Sequence, residues 1–310
     1  MPELRFIVNT ASGGRQGSLV LANLQRRFGA ERARPFCARA LDGVLEGCRR
    51  DGAVLIACGG DGTVAAALEA GFRTGHAVPV GIMALGTGND LARVLGWPLR
   101  PVWDRDGVVV AGFADAHSQH LDRWTVDGAL ARGWYNYLSI GYDARIAHRF
   151  HALRRQHPRL FISALVNRSI YAVASLAESM RPLGRAVRWA DLKGLEQPVP
   201  RWASALLFAN IPSYAGGHCL GSQIAADDGR LDVFALPAGL PLSLALGRIR
   251  TLRALGAPHG AGFTLTRPLA VQIDGEPLLA PPGAYRITHG GSVPILVPRL
   301  PQRLTNRRVA

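Results

Sequence analysis

The stretch Cys58-Gly59-Gly60-Asp61-Gly62-Thr63 holds the residue types from which phosphoryl chemistry is built. Its glycines let the backbone turn through positive φ and aim several amide hydrogens at one point, which makes a cradle for an anion. An acid inside such a cradle is repulsive unless it binds a metal ion or accepts a proton from an attacking group, and Asp61 stands there. A plainer reading, Asp61 as the cap of the following helix, stays open on these residues alone. Two more glycine loops have related chemistry. In Leu85-Gly86-Thr87-Gly88-Asn89-Asp90-Leu91, Gly86 and Gly88 allow close approach to a ligand, Thr87 and Asn89 offer neutral hydrogen bonds, and Asp90 sits where a helix start favours its charge. Capping explains Asn89 and Asp90 equally well. Leu91 also stands where a dinucleotide fingerprint needs glycine or alanine, so that match is weak. Asn9-Thr10-Ala11-Ser12-Gly13-Gly14-Arg15-Gln16-Gly17 brings three glycines, a serine and an arginine to another helix start.

Each loop follows an apolar run and precedes a helical pattern. Residues 4–8 predict a buried strand, and Leu21, Leu24 and Phe28 a helix beginning at Ser18 as N-cap. Residues 53–58 predict a strand, Gly59 to Thr63 a tight loop, and Val64 to Ala70 a helix. Residues 78–85 repeat the strand, and Asp90 to Leu95 form a short helix ending at Gly96. Three such units predict a parallel α/β sheet whose loops emerge at the same ends of adjacent strands, where ligands bind.

Residues 98–106 read as a linker. Beyond it, runs at 202–208, 231–236, 269–273 and 285–288 predict a mainly β second half. One helical stretch, from about Ala144 to Glu178 and broken at Pro158, interrupts it, and the arginine-rich tail after Pro298 reads as frayed. The predicted domains are 1–108, an α/β domain completed by 295–310, and 109–294, a mainly β domain.

Composition narrows the partners. The chain has 310 residues and a net charge of +14, with 48% hydrophobic and 19% charged residues, which excludes an extended disordered chain. Cys37, Cys48, Cys58 and Cys219 are too irregularly spaced for a disulfide framework or a zinc site. Lys193 is the only lysine, and its context, Asp-Leu-Lys-Gly, fits neither a Walker A loop nor a protein kinase. No apolar run reaches the roughly 18 residues of a spanning helix. The opening MPELRFIVNTASGG lacks the order of a secretory signal, so a soluble, cytoplasmic chain is expected. The positive charge suits nucleic acid, an anionic membrane face or a phosphorylated small molecule, and does not choose among them.

The motifs in order are NTASGG, GGDGT, LGTGNDLARVLGW, LDRW, NYLSIGYDARIAHRFH, NIPSYAGG and QIDGEP. Together they resemble the catalytic region of diacylglycerol kinases in its eukaryotic form, over about residues 4 to 297. The resemblance implies transfer of the γ-phosphoryl group of ATP, with Mg²⁺, to the free hydroxyl of diacylglycerol, giving phosphatidic acid. It implies an α/β domain followed by a β-sandwich-like domain, with the active site in the cleft between. It implies Asp61 as the catalytic carboxylate, with Gly59, Gly60, Gly62 and Thr63 on the phosphates. Asn9, Ser12, Gly13, Gly86, Thr87, Asn89 and Asp90 would line the nucleotide site. Asp122 of LDRW would join the metal-water network, and Asp274 and Glu276 of the IDGE turn would close the site and, with Asp61 and Asp122, hold Mg²⁺. A segment like Asp228-Gly229-Arg230-Leu231-Asp232 holds a structural metal in some bacterial relatives. The family's first loop carries Pro and Lys where this chain has Thr10 and Ala11, and Arg15 is the substitute at hand.

Asp61, a poor base for an alcohol, is expected to orient the hydroxyl and take its proton late, which a loose transition state permits. Asp122 also reads as an ion-pair partner of Arg123 or another arginine, and the IDGE turn as a hairpin. A lipid substrate implies peripheral attachment at the inner membrane face. The densest basic stretch is the candidate contact: Arg145, Arg149, Arg154, Arg155 and Arg159, with His148, His151 and His157, interleaved with Phe150, Leu153 and Leu160. The runner-up activity is a kinase for sphingosine, ceramide or another lipid alcohol. The reading from a different class, a basic nucleic-acid-binding protein, rests on charge alone, because no nucleic-acid-binding pattern is present; nucleic acid is therefore not expected as a partner.

Overall fold

The computed structural model describes residues 2–14, 16–76, 78–86, 88–157, 186–191, 195–221, 223–237 and 252–299. Arg15, Thr87, the predicted helix break at Pro158, Arg159, Leu160 and the tail arginines Arg303, Arg307 and Arg308 lie outside them, as do the side chains of Phe150, His151, Arg154 and Arg155. The chain forms two compact units, one reaching to Leu121 and resuming at Ser292, the other Asp122–Gly291.

In the first unit the strands are β1 (Leu4–Val8), β2 (Ala33–Pro35), β3 (Val54–Gly59) and β4 (Val80–Ala84). Between and after them come α1 (Gln16–Phe28), α2 (Leu41–Asp51), α3 (Asp61–Thr74) and α4 (Asp90–Leu95). The strands pair in parallel in the order β2-β1-β3-β4, with registers such as Val8↔Cys58 and Gly59↔Ala84. Residues of β3 and β4 are buried along their whole length, which is why their sequences are unbroken apolar runs: helices cover both faces of a parallel sheet. Each fully buried side chain such as Ile7 or Leu55 contributes about 1.5–3 kcal/mol. The helix ends follow the glycines. Gly96 closes α4 at φ 83, a left-handed conformation that a side chain resists, and its amide bonds the last turn.

Two starts differ from the sequence reading. Helix α1 begins at Gln16, which puts Ser18 inside its first turn rather than at the cap. Helix α3 begins at Asp61, with Gly60 as its N-cap, so the tight loop is shorter and the helix runs on to Thr74. The expected linker also contains a small hairpin, β5 (Trp103–Asp104) with β6 (Gly107–Val108), followed by α5 (Ala111–Ala114). It packs on α1: Asn23 Oδ1 accepts from the Val108 amide (3.0 Å) and Arg27 Nη1 donates to the Val108 carbonyl (2.6 Å).

The second unit is built almost wholly of antiparallel strands. They are β7 (His117–Val126, which enters from the first unit), β8 (Arg132–Trp134), β9 (Tyr137–Gly141), β10 (Val187–Asp191), β11 (Ala203–Ala209), β12 (Ser213–Tyr214) and β13 (His218–Cys219). Then follow β14 (Asp232–Pro237), β15 (Arg253–Gly256), β16 (Gly260–Leu265), β17 (Leu269–Ile273), β18 (Glu276–Ala280) and β19 (Gly283–Val297), the last returning to the first unit. One sheet has the order β15-β14-β11-β9-β17-β18; another pairs β10, β16 and β19, with β7 and β8 beside them. The main core takes Leu138, Ile140, Leu206, Phe208, Val271 and Ile273 from the first sheet, and Trp124, Trp134, Phe263 and Ile287 from the second. On the opposite face, α6 (Tyr142–Gln156) covers Tyr137, Leu207 and Phe234 through its own Tyr142 and Ile146. Strand β11 therefore shows no alternation in sequence although its residues alternate between two cores: Leu206 and Phe208 face one, Ala205 and Leu207 the other. At the first unit's return strand, Ile295 pairs in parallel with Val80, and Trp97 Nε1 donates to the Leu296 carbonyl (2.9 Å).

Candidate functional site

Within the first unit the three glycine loops come together at the carboxyl ends of β1, β3 and β4. Asn9 Nδ2 donates to Thr63 Oγ1 (3.0 Å), joining the first loop to the second, while Asn9 Oδ1 holds the Ala11 amide (3.1 Å). A Cβ on Gly13, at φ 64, would meet the Leu85 carbonyl at 2.7 Å, so the first loop also lies against the strand end before the third. A Cβ on Gly86 would stand 2.8 Å from the Gly60 Cα and 2.8 Å from Asn89 Oδ1. Glycine is required there because backbone passes backbone. Ser12 and Gly13 lie in the turn before α1, where the Ser12 amide donates to the Asn9 carbonyl (3.0 Å). Gly62 is exposed, in the first turn of α3.

Asp61 occupies the first residue of α3, yet its carboxylate serves a different helix. Its Oδ2 accepts from the Asp90 amide (3.1 Å) and its Oδ1 from the Leu91 amide (3.2 Å), at the start of α4. It is not the N-cap of its own helix; it caps a neighbour. Burial pushes the Asp61 carboxyl above its ordinary value, the Asp90 charge pushes it further, and the amides of Leu91, Asp90 and Asn89 oppose both. Asn89, at φ 52, is the N-cap residue of α4, and its Nδ2 donates to the carbonyls of Gly86 (2.7 Å) and Leu99 (3.2 Å). Those donations fix the amide's orientation and leave Asn89 Oδ1 buried with no hydrogen-bond partner. Cradle, half-buried acid and orphaned acceptor thus share one mouth.

The acids of the second unit predicted for the site are in a different condition. Asp122 is buried, its Oδ2 accepting the Gly229 amide (2.7 Å) and its Oδ1 lying 2.9 Å from His289 Nε2. The partner on Oδ1 is His289, whose ring stands edge-on to Trp124 at 5.3 Å. Trp124 Nε1 donates to Asn210 Oδ1 (2.9 Å), and Asn210 Nδ2 donates back to the Asp122 carbonyl (3.1 Å). His289 and Asn210 were not singled out from sequence. Asn210 stands in the quoted NIPSYAGG motif, whereas His289, between a strand and two glycines, gives no signal of its own.

The IDGE residues do form a hairpin, with Asp274 (φ 47) and Gly275 (φ 84) between β17 and β18 and Ile273 paired with Glu276. Asp274 Oδ1 accepts the amides of Asn136 (2.8 Å) and Tyr137 (3.2 Å), and its Oδ2 that of Tyr135 (2.9 Å). Those bonds make Asp274 the anchor of the segment entering β9. Glu276 is exposed and receives Arg132 Nη2 at 2.7 Å. In the segment expected to hold a structural metal, Asp228 Oδ1 accepts its own loop's Arg230 amide (3.0 Å), and burial followed by the Asp228 charge raises the Asp232 carboxyl. Among the described residues no three His, Cys, Asp or Glu side chains gather as a metal cluster.

The architecture, a glycine-loop α/β unit and an antiparallel unit, is that of a solved structure of a diacylglycerol kinase from Bacillus anthracis str. Sterne. The TM-score is 0.59 over 94% of this chain and 96% of that one, at 16% identity. The sequence goes further than the fold. The diacylglycerol kinase catalytic domain profile matches residues 3–117 and the diacylglycerol kinase accessory domain profile residues 134–277, and the chain belongs to that family. It is 33% identical over 272 residues to diacylglycerol kinase 2 of Arabidopsis thaliana, covering 77% of this chain and 38% of that protein. It is 30% identical over 326 residues to human diacylglycerol kinase theta, covering 93% of this chain and 34% of that protein. The chain thus spans little more than a third of these relatives. Among the described residues no helix is long and apolar enough to cross a membrane.

Proposed function

We propose that this protein is an ATP-dependent lipid kinase that phosphorylates the free hydroxyl of diacylglycerol, giving phosphatidic acid. The observation that carries the reading is the meeting of three glycine loops around Asp61, whose carboxylate is held by the start of α4. Amides of the Gly59–Thr63 turn and the amino ends of α1 and α3 would bind the phosphates, and the unpartnered Asn89 Oδ1 would accept a hydrogen bond from the nucleotide. Thr87 belongs to the same proposed site.

Asp61 would orient the lipid hydroxyl and receive its proton late in a loose transition state. Its raised carboxyl suits that task, since an acid less content as an anion is a better acceptor. The residues also fit a divalent ion. An acid pushed up by burial and by a neighbouring acid is relieved by a cation, and Mg²⁺ in kinases takes one or two carboxylates and leaves the rest of its shell to phosphate and water. Bound with the nucleotide, Mg²⁺ would neutralise charge developing on the phosphoryl oxygens. Asp61 would be its ligand from the first unit. Asp122 and Glu276 would support the reaction only after releasing His289 and Arg132.

A diacylglycerol substrate places the protein at a membrane surface, and the inner face is the location proposed. On α6, His148, Arg149 and Leu153 are exposed, and Arg145 lies over the Tyr142 ring at 6.0 Å. The test is transfer of labelled phosphate from ATP into a panel of lipid alcohols in mixed micelles. Diacylglycerol is expected to accept label fastest. Faster labelling of sphingosine or ceramide would reassign the substrate, and no labelling of any lipid would remove the proposal.

A further inference from the structure

A lipid kinase must rest on a bilayer in a defined way, and the first unit carries an apolar patch that nothing in the catalytic reading uses. Seven large apolar side chains are exposed among the described residues, and three of them belong to α1 and the β5–β6 hairpin: Leu19 at 62%, Val102 at 50% and Trp103 at 48%. The hairpin lies against α1 through Asn23 and Arg27, which bond Val108, the residue paired with Trp103. Leu19 is one helical turn before Asn23, on the same side of α1, and Trp103 shares a hairpin face with Val108, which Asn23 bonds, while Val102, the residue before Trp103, is exposed on the other face. Arg26 on α1, Arg100 just before the hairpin and Arg105 within it are exposed. The hairpin also carries Asp104 and Asp106, with Asp104 Oδ1 turned back onto the Asp106 amide (2.9 Å), so arginine still outnumbers acid at the rim.

The geometry points to an anionic lipid surface as the occupant of this patch, with Trp103 and Val102 entering the headgroup layer and the arginines pairing with lipid phosphate. An indole suits that layer because one face is apolar and its N–H is satisfied there. The charge is complementary: a net +14 chain with arginine at the rim meets a negative leaflet. This inference deepens the lipid-kinase reading by naming a docking element in the first unit.

The test is sedimentation of the full chain with vesicles of phosphatidylcholine alone and of phosphatidylcholine mixed with phosphatidylglycerol. The wild-type protein is expected to bind the mixed vesicles more tightly. The double variant Val102→Ser, Trp103→Ala should weaken binding by about tenfold or more. Leu279→Ser, at an exposed leucine of the second unit, should leave it unchanged. Arg100→Gln with Arg105→Gln, which keeps the apolar contact, should remove the preference for mixed vesicles. Thermal unfolding of each variant confirms that it folds. Wild-type protein that ignores vesicles, or a double variant that binds like wild type, would overturn the assignment. So would a double variant whose one effect is to abolish self-association, because a second copy would then be the occupant. Vesicle binding through Trp103 without any phosphate transfer would remove the proposed activity and leave the docking surface standing.

Discussion

Asp61 and Asp274 are both carboxylates that accept backbone amides, and the contrast between them separates the two units. Asp274 takes three amides from the segment entering β9, at a turn that its own left-handed backbone helps to make. Asp61 takes amides from α4 while burial, and then Asp90, push its carboxyl up. The acids of the second unit singled out for the site are satisfied: Asp122 has Gly229 and His289, and Glu276 has Arg132, while Asp232, raised by burial and then by Asp228, stands in none of the three glycine loops. The first unit leaves one acid under stress beside an orphaned acceptor. Acids that hold a fold are compensated, and an acid kept under repulsion at the mouth of a glycine cradle is the one available for chemistry.

The sharpest way to break this contrast is Asp274→Ala. It leaves three amides without an acceptor and removes a residue type suited to φ 47, so a loss of about 3 kcal/mol in unfolding free energy is expected. Denaturant melts would measure it. A loss near zero would mean that the turn does not depend on its carboxylate. Next comes Gly86→Ala, which drives a methyl into the Gly60 backbone and forces two loops apart. A loss of about 10²-fold in kcat/KM for ATP is expected, with little change in melting temperature, because the damage is to placement of the phosphate cradle. An unaffected kcat/KM would show that the loops do not act as one site.

Much of the first unit could be read from sequence because its signals are local. Strand, glycine loop and helix follow one another within some twenty residues, and α4 begins and ends where Asp90 and Gly96 say it should. The loops' meeting followed from topology, since adjacent parallel strands deliver their loops to one edge. What sequence did not disclose was the partner of each acid. Asp122 and His289 are 167 positions apart, and no spacing rule connects them. Asp61 looked like a cap for its own helix because capping signals are local, whereas its amides belong to α4, about thirty residues on. The β11 run hid its alternation because α6 buries the face that a simple sandwich leaves wet.

A smaller effect sharpens the same contrast through pH. Since the Asp61 carboxyl is raised on folding, its contribution to stability is fully present below the unfolded value of 3.8 and is lost as pH rises through the folded value. Wild-type protein should therefore gain stability relative to Asp61→Asn as the solution is acidified across that window, and the difference should level off on either side. Paired melting curves at stepped pH would show it. A difference that shrinks on acidification would mean that the amides of α4 outweigh burial and Asp90.

The most direct measurement is labelled phosphate transfer from ATP to diacylglycerol in mixed micelles, with wild-type and Asp61→Asn protein side by side and folding of both verified. Phosphatidic acid should form with the wild type and fall by about 10²–10⁴-fold with the variant. Equal rates, or no phosphatidic acid from the wild type, would contradict the assignment of Asp61 as the carboxylate that serves the lipid hydroxyl.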